Sequence, residues 1–178
     1  MSSNTALAIS LGVLGAVATW LFLGPLGGAL AIWAAFIAWA CFFHNGGREG
    51  GLQSTVLGNA AGAIIAGIAL WLGTQSGIGA GLGVIWPAIC VGLGVASMVL
   101  LANVPAFASI PTQVYGFASL AAYVLMKDAG GSLTAASLAN PLVVIILSMI
   151  IGAVFGYVSE KVAGMLVGSG NHARAAKA

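Results

Sequence analysis

The feature that most constrains this chain is a succession of apolar runs close to twenty residues long, parted by short clusters rich in Gly, Pro, Asn and Ser. An α-helix needs about 20 mainly apolar residues to cross the hydrocarbon of a bilayer, and roughly 17 to 25 will serve. Ala6 to Leu23 is the first such run and Gly24-Pro25 ends it. Leu26 to Phe43 is the second, closed by His44-Asn45-Gly46-Gly47-Arg48-Glu49-Gly50-Gly51, and Leu52 to Leu72 the third. Ala80 to Ala102 follows the polar turn Gly73 to Gly77, with Pro87 expected to kink it. Val104 to Met126 and Pro141 to Val158 complete the series. With 61% hydrophobic residues and 4% charged ones, against about 25% charged in a soluble domain, the chain cannot cover a surface in water. The expected fold is an all-α integral membrane protein of about six transmembrane helices. A single domain over residues 1–168 is expected, with a polar tail at 169–178 expected to be disordered.

Several function classes drop out on composition. Cys41 and Cys90 lie inside apolar runs and in no CxxC or CxxH spacing, so they read as small buried hydrophobes and not as a zinc site or disulfide framework. A net charge of +2 is too small and dispersed for a nucleic-acid partner. Three acidic residues and two histidines, none paired in sequence, offer no nucleophile and base, so an enzyme is not expected. Neither is a cofactor. The glycine-rich loop Gly46 to Gly51 lacks the GxxxxGK[ST] pattern of a phosphate cradle. Met1 to Thr5 carries no basic residue, unlike the start of a cleaved signal peptide, so the first helix is expected in the mature protein.

Orientation follows from the basic residues. With the N-terminus inside, Arg48, Lys161, Arg174 and Lys177 are cytoplasmic and Lys127 alone is external, as the excess of Lys and Arg in cytoplasmic loops demands. The expectation is a multi-pass protein of the bacterial inner membrane with both termini in the cytoplasm.

The halves correspond weakly at a spacing of about eighty residues, and duplication is common in transporter folds. His44-Asn45-Gly46-Gly47 is answered by Asp128-Ala129-Gly130-Gly131, and Leu57-Gly58-Asn59 by Leu138-Ala139-Asn140. Three helices per unit, over residues 6–72 and 80–158, would insert the second unit inverted relative to the first. Chance alignment of Ala, Leu, Ile and Gly is the alternative.

Polar groups inside a bilayer are costly unless they face a cavity or a partner. Asn59 and Asn140, near the starts of the third and sixth runs, offer donors and acceptors suited to a small neutral solute; an interhelical hydrogen bond or a helix cap explains them equally simply. The stretch Pro105 to Gln113 holds two prolines, Pro105 and Pro111, that disfavour continuous helix. Irregular backbone there would expose carbonyls together with Ser109, Thr112 and Gln113 as a pore lining, whereas the plain alternative is a cytoplasmic turn. His44 is a gating candidate by its titration near neutral pH, against a simple interfacial role. Gly58 with Gly62, and Gly152 with Gly156, form small-xxx-small surfaces for close helix crossing within one protomer or between copies of a homo-oligomer.

The six short runs, the HNGG loop and the P-x-F-x-S-x-x-P segment before Tyr115-Gly116-Phe117-Ala118-Ser119 resemble the small uncharacterised inner-membrane proteins typified by YcdZ. That resemblance brings no activity with it. Val104-Pro105-Ala-Phe-Ala-Ser109-Ile-Pro111 is also similar to the pore segments of urea transporters, with one added residue and Ser in place of Thr. The function expected is a channel or facilitator for a small neutral or weakly charged polar solute of the urea, short amide or ammonia class. The competing expectation is a non-transporting scaffold or assembly subunit whose glycine-rich helices bind other transmembrane helices.

Overall fold

The computed structural model describes residues 1–74, 76–79 and 81–175, with side chains described as far as Val167 and Gly168. Six helices carry the fold: α1 (Ser3–Leu23), α2 (Ile32–His44), α3 (Arg48–Gly73), α4 (Ile85–Leu101), α5 (Ile110–Lys127) and α6 (Pro141–Ala175). No strand occurs among the described residues. Three helices are long and apolar enough to cross a membrane: α1, α3, and α6 over Pro141–Gly168. Helices α2 and α4 are apolar but shorter; the 13 residues of α2 rise only about 20 Å.

The element boundaries depart from the apolar runs where backbone chemistry intervenes. Helix α2 starts at Ile32, not at Leu26, because Gly27 and Gly28 adopt φ of 33° and 79° and turn the chain before it can coil. Helix α4 starts at Ile85, so Pro87 sits in its first turn, where its missing N–H breaks no intrahelical bond and the expected mid-helix kink does not arise. Gln75 and Ala80 lie outside the described residues. The backbone of α6 stays helical to Ala175, past the start of the expected tail; the side chains of residues 169–178, Arg174 and Lys177 among them, lie outside the description.

Helices α3 and α6 form the centre, and each packs most closely on the second helix of the other half: α3 on α5, α6 on α2. The outer helices follow the same rule, α4 lying on α3 and α1 on α6. Exchanging the first three helices with the last three therefore maps the packing onto itself. Close glycine contacts show how each pair is made. A Cβ at Gly62 would overlap the carbonyl oxygen of Gln113, one at Gly116 the carbonyl oxygen of Asn59, and one at Gly152 the carbonyl oxygen of Ala35. Gly58 and Gly156 are opposed less closely, by the side chains of Thr112 and Phe42. Small residues permit such approach where apolar burial itself drives little association, as between helices in lipid.

Contacts also fix the directions. Gly58 faces Thr112 and Gly67 faces Leu120, so α3 and α5 run parallel; Ala31 donates its N–H to Ser148 Oγ at 2.9 Å and Gly156 meets Phe42, so α2 and α6 do too. Gly67 beside Leu142 and Glu49 bonded to Tyr157 and Lys161 make α3 and α6 antiparallel. The axis that exchanges the halves accordingly lies across the helices and not along them.

At the turn from α2 to α3, Gly46, Gly47 and Arg48 have φ of 82°, 68° and 58° in succession. Glycine adopts such values freely, but Arg48 does not, and a carboxylate holds it there. Glu160 Oε2 accepts the Arg48 N–H at 2.7 Å. A negative group at the first N–H of a helix is electrostatically favoured. At the next residue, Glu49 Oε1 accepts from Tyr157 Oη at 2.8 Å and Lys161 Nζ at 3.0 Å, with the ammonium 4.9 Å from the Tyr157 ring centroid.

Candidate functional site

Polar side chains are few, and four of the buried ones, Thr55, Asn59, Thr112 and Gln113, lie where α2, α3 and α5 meet. Cys41 and Asn45 are one turn apart at the end of α2, and Thr55 and Asn59 one turn apart on α3, so each pair shares a helix face. Ser109 immediately precedes α5, placing Thr112 and Gln113 in its first turn. Asn45 Nδ2 donates to Thr55 Oγ1 and Thr112 Oγ1, both at 3.0 Å. Thr112 Oγ1 lies 3.1 Å from Asn45 Oδ1, to which it donates, and 2.6 Å from Ser109 Oγ. Cys41 Sγ lies within the same group, 3.4 Å from Asn45 Nδ2, 3.6 Å from Thr112 Oγ1 and 3.8 Å from Asn59 Oδ1. The cluster carries no formal charge.

Two of its members have unfilled hydrogen-bonding capacity. Asn59 is 2% exposed and its Nδ2 has no partner; Gln113 is fully buried, with Nε2 donating to the Phe107 carbonyl at 2.8 Å and Oε1 unpaired. A buried donor or acceptor left without a partner costs about 1–3 kcal/mol. An unpaired donor on α3 and an unpaired acceptor on α5 are chemically complementary to a small molecule that presents both a C=O and an N–H.

The remaining expected site residues fall elsewhere. Asn140 caps α6: its Nδ2 donates to the carbonyls of Leu133 and Ala135, both at 2.9 Å, and its Oδ1 accepts the Leu142 N–H at 2.9 Å. Asn59 instead stands about three turns inside α3, so the two asparagines do not meet. Pro105 begins a 3-10 turn over Pro105–Phe107, Pro111 occupies the first turn of α5, and both are exposed. The proline segment is thus the α4–α5 connection, and it contributes to the cluster through Ser109, Thr112, Gln113 and the Phe107 carbonyl. His44 is exposed at the end of α2 with its ring edge-on to Tyr115, centroids 5.9 Å apart.

Sequence reasoning missed Asn45, Thr55 and the polar setting of Cys41. The spacing Cys41–Asn45 and Thr55–Asn59 was a readable signal, since polar residues four apart on apolar helices share a face.

Taken together, an all-helical chain with helices of membrane-crossing length and apolar composition is an all-α integral membrane protein. It belongs to a protein family of unknown function (DUF1097), whose model matches residues 8–164. Among curated proteins and among solved structures, nothing matches the chain.

Proposed function

We propose that this protein is a facilitator for a small, neutral polar solute of the urea, short amide or ammonia class, acting across the bacterial inner membrane. One observation carries the reading: an uncharged, hydrogen-bonded cluster buried between α2, α3 and α5, in which Asn59 Nδ2 and Gln113 Oε1 remain unpaired. A solute leaving water must exchange its hydrogen bonds for fixed protein partners along the path, and such a pair supplies one donor and one acceptor. The likeness of Val104 to Pro111 to urea-transporter pore segments supports the same class, since the segment delivers Ser109 and Thr112 to the cluster. In this reading the chain crosses the bilayer as two inverted three-helix units, each short helix completed by its flanking turns, with both termini cytoplasmic. The test is solute flux in proteoliposomes. Asn59→Leu is compatible with an apolar setting but cannot donate, so urea or formamide flux should fall about tenfold, the worth of one hydrogen bond in a desolvated site. Flux unchanged in folded Asn59→Leu would refute the assignment.

A second reading, a scaffold that binds other transmembrane helices or further copies of itself, has its own observation. Gly12, Gly15 and Gly92 face open space on α1 and α4, the two outermost helices, where a neighbouring helix could approach closely. Wild-type protein that passes none of urea, formamide, acetamide or ammonia above empty liposomes would favour it.

A further inference from the structure

A charged group on a membrane-crossing helix needs a partner, because an unpaired charge there is costly. Helix α6 carries two side by side, Glu160 and Lys161, within the stretch Pro141–Gly168 that is long and apolar enough to cross. Lys161 is neutralised by Glu49, at 3.0 Å the one ion pair among the described residues. Glu160 has no such partner. Its Oε2 accepts the Arg48 backbone N–H at 2.7 Å, an uncharged donor, and its Oε1 accepts no hydrogen bond from any described residue.

The half-buried Glu160 side chain lines a cavity of about 400 Å3, within the range of about 300–1,000 Å3 usual for small-molecule sites. Ser10 Oγ donates to the Ser159 carbonyl at 2.8 Å, and the cavity joins Ser3 and Leu7 of α1 to Ala163 and Val167 of α6, so the two helices run antiparallel and the cavity lies at one end of both. Phe43 of α2 completes its apolar lining, and Glu160 and Ser3 are its polar members. Arg48, whose N–H the Glu160 carboxylate holds, is exposed and in no ion pair among the described residues. An unneutralised carboxylate, an apolar hollow and an unpaired guanidinium therefore stand together at the end of the bundle, where hydrocarbon gives way to headgroups.

We propose that this cavity binds a phospholipid whose headgroup ends in a primary ammonium, the chemistry of phosphatidylethanolamine. Ammonium N–H groups make short, strong hydrogen bonds to a carboxylate, and Glu160 Oε1 is free to accept one. The Arg48 guanidinium takes the phosphodiester, for which its fork of donors is suited, and Leu7, Phe43 and Val167 receive the apolar part of the lipid. A trimethylammonium headgroup carries the same charge but has no N–H to donate, so the site tells the two apart. It is separate from the polar cluster between α2, α3 and α5 and holds whether or not a solute crosses the protein.

The experiment is native mass spectrometry of the delipidated full chain in detergent, titrated with dioleoyl phosphatidylethanolamine and, separately, dioleoyl phosphatidylcholine. Wild type should bind the ethanolamine lipid about tenfold or more tightly than the choline lipid, the worth of one charge-assisted hydrogen bond. Glu160→Gln keeps an oxygen for the Arg48 N–H but removes the charge, and should bring the ethanolamine lipid to the choline level. Gly164→Leu fills the cavity from a position with nothing within 4 Å of its Cβ, and should abolish the preference as well; it decides the matter alone if Glu160→Gln does not fold. Equal binding of the two lipids by wild type, or a preference that survives in either folded variant, refutes the site. Displacement of the lipid by free ethanolamine at matched concentration would make it a site for a soluble amine and refute the lipid assignment.

Discussion

Adding one methyl group at Gly152 should destabilise the protein by about 2–4 kcal/mol, and the structure supplies the terms. The new Cβ would overlap the carbonyl oxygen, carbonyl carbon and Cα of Ala35. Those are backbone atoms, so no rotamer change relieves the overlap and α2 must move off α6. Overpacking of this kind costs about 1–3 kcal/mol. The displacement also strains the Ala31 N–H to Ser148 Oγ bond at 2.9 Å and the Trp39 Nε1 to Ser159 Oγ bond at 3.1 Å, each worth about 1 kcal/mol. Against this, Ala is the better helix former by up to about 1 kcal/mol. Gly62→Ala should cost a similar amount, because its Cβ would meet the Gln113 carbonyl in the same way on the other half. Gly12→Ala is the control, since nothing lies within 4 Å of its Cβ position, and it should be neutral or slightly stabilising. Thermal unfolding in detergent, followed by loss of the monodisperse elution peak, measures all three. Gly152→Ala or Gly62→Ala as stable as Gly12→Ala would show that these helices do not approach as described.

Two further outcomes are expected. Asn140→Ala should lower stability by about 1 kcal/mol through loss of the α6 cap, with Asn140→Ser or Asn140→Asp recovering most of it and solute flux per folded protein unchanged; a flux defect in a folded Asn140 variant would contradict the cap assignment. Cysteine labelling in intact cells should find the His44 to Gly51 turn protected and Lys127-Asp128 accessible, and external labelling beside Arg48 would invert the proposed orientation.

How much of this was legible in the chain depends on what each property requires. The all-helical, membrane-type architecture follows from apolar runs near twenty residues long with 4% charge, because solvent class and helix length are local, additive properties. The close-packing roles of Gly58, Gly62, Gly152 and Gly156 were visible for the same reason: a spacing of four places both small residues on one helix face. Helix ends were less legible, since Gly27 and Gly28 override the hydropathy that continues from Leu26.

Partnership could not be read from one strand of sequence. Asn59 and Asn140 have the same side chain in similar local settings, yet Asn140 caps a helix and Asn59 lies inside the bundle with its Nδ2 unpaired. Which of these an asparagine becomes depends on carbonyls and hydroxyls brought from other elements. Likewise Asn45, at the end of an apolar run, joins the cluster because α3 and α5 deliver Thr55 and Thr112 to within 3.0 Å of it. The half-to-half register, too, appears in the sequence as Asn59 with Asn140, whereas matching Gly62 on Gln113 with Gly152 on Ala35 makes Met149 the counterpart of Asn59. Side chains at these positions differ, but Gly62 and Gly152 both press on opposing backbone, because so close a backbone approach leaves no room for a Cβ.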